Sequence, residues 1–381
     1  MKTLTILSLF IFSAASAEVS TMQKLSKAMS VVLTNCSSEG RFCDKDNHTQ
    51  IEEQLKSLST LAHAMKEKDF SGDKADPTLS ILSGYLSEEA NAAYSAFKNG
   101  KPEYARGIVR SMLGTCIACH NRSNSGQPLE KLNLEPTDAH LKPIEQAEFY
   151  AGTRQFDRAE KEFLSIIENS EVASNDPYSW EHAIRQSLTI AIRVKKDPIL
   201  AKKVIDTALT QKKAAYTTRE DLTQWKKSID QWIKEPKTTV KTEKGMLSEG
   251  SRLINEAHQL QKYPMDHSAD VLYLRASAAY YSLIEAAPNG KNVSDALLME
   301  GICNEVLSPL GLEDLHRLYY EACIKKSPHS PVAMECYRRY ERSTIQGYTG
   351  SAGTAVPEEI KQKLLDLFSQ SMPSGNNGKI F

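Results

Sequence analysis

The sequence is short of several things, and each shortage removes a class of protein. Its longest apolar run, Leu4 to Phe12, reaches about half of the ~20 residues that a membrane-spanning helix needs. Neither sign of charge prevails: 47 Lys and Arg against 48 Asp and Glu give a formal net charge of -1. There is thus no basic footprint for nucleic acid and no field to draw the chain to an anionic membrane. The period-two alternation of half-buried strands is almost missing, which argues against a sheet protein. In the later two-thirds of the chain no nucleophile–base pair and no metal triad can be picked out, so no catalytic residue is expected there.

What is present begins at the amino terminus. "MKTLTILSLFIFSAASAEVS" joins Lys2 to the apolar run and then to Ala15-Ser16-Ala17. That is the pattern of a secretory signal peptide, residues 1–17, cut between Ala17 and Glu18. The mature chain then has no integral membrane segment. The expected location is the periplasm, an oxidising space in which disulfides persist. Seven cysteines suit that setting. Their spacing suggests a small disulfide between Cys36 and Cys43 and a staple between Cys323 and Cys336. Cys303 is left as a buried thiol or exchanges into one of these pairs, because spacing does not fix connectivity.

Apolar residues recur at helical spacing along nearly the whole chain. Met22, Leu25, Met29 and Val32 share one face of a helix starting near Ser20. Ile51, Leu55, Leu58, Ala62 and Met65 mark a second helix over 49–67, and Leu79 to Phe97 a third over 78–99. Gly100 ends the third and Pro102 starts a fourth over 102–122. Four amphipathic helices with short polar loops predict an antiparallel four-helix bundle over 18–122. Ser, Asn, Gly and Pro then crowd into a linker at 123–137.

From 138 to 371 the pattern stays helical. Ala147, Tyr150, Ala159 and Phe163 sit where tetratricopeptide repeats place packing residues, and Pro288 and Pro328 close two similar segments at an irregular interval. The expectation is an α-helical repeat (tetratricopeptide-like) domain, with an unrelated helical domain as the alternative and a frayed tail over 372–381. The fold class is all-α.

One motif carries chemistry. "MLGTCIACHNRSNSG" holds C-x-x-C-H at Cys116, Cys119 and His120. A redox dithiol would need a βαβ surround, and zinc would need two further ligands from a second C-x-x-C or paired histidines, which are missing. In covalent haem attachment the two thiols bond the haem vinyl groups and the histidine binds iron. Spacing of i, i+3 and i+4 puts all three on one helix face. Tyr104, Ile108 and Met112 continue that face as an expected pocket wall. Export agrees with this chemistry, since the attachment takes place outside the bacterial cytoplasm. The expected cofactor is one covalent haem c.

An exported four-helix bundle with C-x-x-C-H near the end of its last helix resembles cytochrome c-prime and its low-spin relatives, over roughly residues 18–125. The resemblance implies thioether bonds at Cys116 and Cys119 and His120 as the proximal iron ligand, and it matches a basic residue at Arg122. It leaves the sixth iron site open. High-spin members keep that site vacant, whereas low-spin members use a methionine from helix one. In an antiparallel pair of first and fourth helices Met22 lies level with the motif, and Met29 lies about 10 Å deeper. A thioether ligand raises the reduction potential and suits electron transfer, but methionines at helical spacing are also common core filler.

The expected function is an exported monohaem electron carrier whose repeats dock a redox partner protein, a solenoid offering an extended surface for it. Alternatives are a five-coordinate haem sensor of nitric oxide or carbon monoxide and a periplasmic scaffold with an accessory haem. A di-haem peroxidase needs two attachment motifs, and this chain has one. Family members often pair through bundle helices, so a homodimer is one implied arrangement. Elsewhere, His48 is expected in a loop and His63 on the surface. Trp180, Trp225 and Trp232 read as core or groove aromatics, and "YRRYER" (337–342) as a solvated helix face.

Overall fold

The computed structural model describes residues 5–36, 39–68, 76–122, 141–236, 242–263, 266–307 and 314–373, with side chains from Thr21 in the first helix and up to Lys66 in the third. Among these residues the backbone is all-helical apart from one small antiparallel ribbon, Thr349–Gly350 against Gly353–Thr354. The linker expected at 123–137 and most of the expected tail lie outside them.

The chain divides into two compact units. One comprises Met1–Ala75, Leu82–Ile190 and Gln211–Lys213, the other Asp76–Ile81, Ala191–Thr210 and Ala214–Phe381. The first unit therefore continues past the expected linker. It holds α1 (Thr5–Cys36), α2 (Glu39–Phe42), α3 (Lys45–Lys68), most of α4 (Pro77–Lys98), α5 (Pro102–His120), α6 (Pro143–Gly152), α7 (Phe156–Glu168), α8 (Ser170–Asn175) and α9 (Pro177–Thr189). Prolines 77, 102, 143 and 177 open four of these helices, where a preset φ helps and the missing N–H costs nothing. Helix α4 ends as Gly100 suggests: it takes φ +71°, and Lys101 N–H bonds Ala96 O at 2.9 Å, a Schellman closure.

The apolar stripes fall where the periodicity puts them. Leu25, Met29 and Val32 of α1, Ile51, Leu55 and Leu58 of α3, and Leu82, Leu86 and Phe97 of α4 are all buried. Helix α1 packs against both α3 and α5. Two readings need correction here. Cys36 and Cys43 are not bonded to each other: Cys36 is buried at the end of α1, while Cys43 is exposed just after α2. His48 belongs to α3 rather than to a loop, with its ring 4.7 Å from that of Phe97.

The second unit holds α10 (Pro198–Leu209), α11 (Tyr216–Lys234), α12 (Glu243–Leu260), α13 (Asp270–Ala286), α14 (Val293–Val306), α15 (Leu315–Lys326), α16 (Pro331–Gly347) and α17 (Glu358–Ser371). From α12 onward each helix packs on the next. One device is used twice. A Cβ on Gly250 of α12 would overlap the Tyr280 ring of α13, and one on Gly301 of α14 would overlap the Tyr320 ring of α15. Glycine there lets a first helix lie flat against the aromatic ring of a second. A disulfide joins Cys323 of α15 to Cys336 of α16, and Cys303 is a buried thiol. Within "YRRYER" the tyrosines turn inward, Tyr337 and Tyr340 being buried, so only part of that stretch is a solvated face.

Candidate functional site

Helix α5 presents the motif on its last turn. Ala105, Val109, Met112, Leu113 and Ile117 form its buried stripe, and Cys116, Cys119 and His120 lie half-buried at its end. Asn121 closes the helix by donating its N–H to Ile117 O at 2.8 Å, and its side-chain amide donates to Gln186 Oε1 of α9 at 3.3 Å. The wall expected behind the motif is shorter than its sequence ladder. Met112 is fully buried and Ile108 half-buried, but Tyr104 is 66% exposed. Each step of four residues overshoots a 3.6-residue turn by about 40°. Four steps back from His120 the ladder has turned by about 160°, close to the opposite face of the helix.

The two thiols are not disulfide-bonded. Burial pushes the Cys116 thiol up to about 12, with Cys119 and Glu89 adding to the effect. The carboxyl-terminal helix dipole disfavours a thiolate there as well. Exchange-active cysteines need the opposite, a lowered pKa of the kind found at helix amino termini. Cys116, buried at a helix carboxyl terminus, is thus not in the setting that activates such thiols. Glu89 of α4 lies beside this turn, accepting from Ser111 Oγ at 2.8 Å and Thr115 Oγ1 at 2.9 Å. Burial raises its pKa against the lowering by those two donors.

The His120 ring sits against α6. Its Nδ1 lies 2.5 Å from Gly152 O. A carbonyl only accepts, so Nδ1 carries the proton and Nε2 keeps the lone pair. Burial, and then the Arg154 guanidinium, push this imidazole down to about 4 against the opposing pull of Gly152 O. The ring is neutral at physiological pH, the form that ligates metal.

Helix α6 reaches the motif through a corner that the sequence does not advertise. Arg154 N–H bonds Ala151 O at 3.1 Å and Gln155 N–H bonds Tyr150 O at 2.8 Å, closing the helix in a Schellman pattern. The left-handed position in that pattern, φ +58°, is taken by Arg154. Its Nη1 donates to His120 O at 3.3 Å, and its guanidinium lies over the Phe156 ring. Gly152 and Arg154 were missed as site residues. Their only trace was the turn "GTRQFD" between two apolar runs, which says nothing about what the turn touches.

The donor set suits a covalently held haem: two thiols on adjacent turns and an imidazole with Nε2 to spare. Among the described residues no group of three or more His, Cys, Asp or Glu side chains is gathered to hold a bare metal ion. The methionines lie on α1, Met22 half-buried and Met29 buried. Helix α1 meets α5 where Arg106 Nε donates to Cys36 O at 2.8 Å, and Leu33 and Cys36 share a cleft with Arg110 and Leu113. Of the remaining histidines, His63 is exposed, as expected, and His182 pairs with Glu148 at 2.8 Å. Among the described residues no helix is long and apolar enough to cross a membrane. No family model, no curated protein and no solved structure matches this chain.

Proposed function

We propose that this chain is an exported c-type cytochrome that carries one covalent haem and transfers single electrons. The observation that carries the reading is the end of α5. Cys116, Cys119 and His120 share one face, and the His120 Nδ1 is already committed to Gly152 O, which leaves the Nε2 lone pair for iron. A ligating histidine is usually oriented by donating its far N–H to a carboxylate, a backbone carbonyl or water, and here the partner is a carbonyl. Haem bound there supplies reversible one-electron exchange. The chain's own part is to hold the ring through Cys116 and Cys119, keep His120 neutral and aimed, and keep water from the Val109–Met112–Leu113 side.

The sixth site is assigned to Met22. Met22 lies fourteen residues before Cys36, and His120 lies fourteen after Arg106. With Cys36 bonded to Arg106, an antiparallel α1–α5 pair advances about 21 Å from that anchor to each of them. Met29 falls short of that level and is packed in the core. In this reading α1, α3, α4 and α5 form the four-helix bundle of a cytochrome c-prime-like protein.

The helices from α6 onward form tetratricopeptide-like hairpins that dock a redox partner protein. Burial of Ala147, Tyr150, Ala159 and Phe163 supports this, as does the repeated glycine-under-tyrosine packing of α12–α13 and α14–α15. The test is a pyridine haemochrome assay on protein exported by a host with a haem-attachment system. One covalent haem per chain is expected, and it should be lost in the Cys116→Ser, Cys119→Ser variant. Wild-type protein without covalent haem overturns the reading.

A further inference from the structure

We infer that the α6–α7 corner, Gly152 to Arg154, is a positioning element for His120, and that the Gly152 carbonyl sets the basicity of the ring and with it the reduction potential of the bound haem. The inference rests on the haem reading above and adds to it a group from beyond the motif's own helix.

The corner holds His120 at both ends. Gly152 O accepts from the ring at 2.5 Å, and Arg154 Nη1 donates to the His120 carbonyl at 3.3 Å. The close approach depends on glycine at 152. A Cβ there would lie 2.7 Å from Leu113 Cδ1 and 3.5 Å from the Cys116 Cβ. Gly152 is not in the left-handed region, so its value is proximity rather than backbone freedom. Arg154 does occupy that region, at φ +58°, where an L residue is strained and glycine is the easier choice. The strained residue is the one whose side chain reaches the end of α5. Strain kept at such a point indicates a use for it.

The consequence follows from the hydrogen bond itself. An N–H shared with a carbonyl pushes electron density onto the imidazole and makes Nε2 a stronger donor. A stronger donor favours oxidised iron and lowers the reduction potential. Residues after the linker thus act on the electron affinity of a centre attached before it.

The test compares full-length, haem-loaded wild type with Gly152→Ala. Equal haem content is checked first by the pyridine haemochrome assay. The methyl group should lift α6 away from α5, and the midpoint potential should move to a more positive value. The His120 ring-nitrogen resonances should shift in the reduced, diamagnetic protein. Full haem content with an unchanged potential overturns this inference and leaves the cytochrome reading standing. Wild type without covalent haem overturns both. Should Gly152→Ala not fold, exchange of the His120 Nδ1 proton in reduced wild type decides. Slow exchange is expected, and exchange at the rate of a solvent-facing imidazole overturns the inference.

Discussion

Met22 and Met29 are two turns apart on one helix face, yet their surroundings predict different losses. Met29 is 5% exposed in the core, and Met22 is half-buried. Truncating a buried methionine costs about 2–5 kcal/mol. Met29→Ala should therefore lower the denaturant midpoint while leaving a low-spin ferrous spectrum. Met22→Ala should do the reverse, with a smaller stability loss but conversion to a high-spin spectrum that responds at once to carbon monoxide. A wild-type protein that is already high-spin would remove Met22 from the iron and favour gas binding. At this scale the sequence was legible for Cys116, Cys119 and His120, because their relation is local to one helix. It was not legible for Gly152 and Arg154, whose relation to His120 depends on a fold-back of the chain.

Helix pairing separates the two cysteine pairs that spacing treats alike. Cys323 and Cys336 lie on successive helices that pack together, and they are bonded. Cys36 and Cys43 are closer in sequence but are not bonded. Cys36 lines the cleft with Leu33 and Leu113, and burial pushes its thiol up to about 12, so the thiolate needed for exchange is scarce. Cys43 stays exposed beyond α2. Closing a separation of 13 residues restricts the unfolded chain enough to contribute about 2–4 kcal/mol. A Cys323→Ser, Cys336→Ser double variant should lose that much in equilibrium unfolding monitored by circular dichroism, and reducing agent should weaken the wild type to the same level. Mass mapping that finds Cys36 bonded to Cys43 in the exported protein would contradict this pairing. The Tyr104 outcome belongs to the same scale: a four-residue ladder is a good guide over two steps and a poor one over four.

Export with cleavage, as proposed, would fix the mass of the whole mature molecule. Intact mass of the protein recovered from the periplasm should equal residues 18–381 plus one haem, with Glu18 at the amino terminus. An uncleaved chain, or haem present in cytoplasmic protein made without export, would speak against the signal-peptide reading. Local sequence was enough for the helical character, the placement of α3, α4 and α5, the Gly100 closure and the single face shared by Cys116, Cys119 and His120. All of these depend on periodicity, caps and spacing within a few turns. Packing between helices settled which cysteines bond, where the wall behind the motif ends, that the first compact unit runs on through Ile190, and that a carbonyl from α6 meets the His120 ring. Those outcomes depend on how closely separate helices approach, and at Gly152 that approach is set by the absence of a single methyl group.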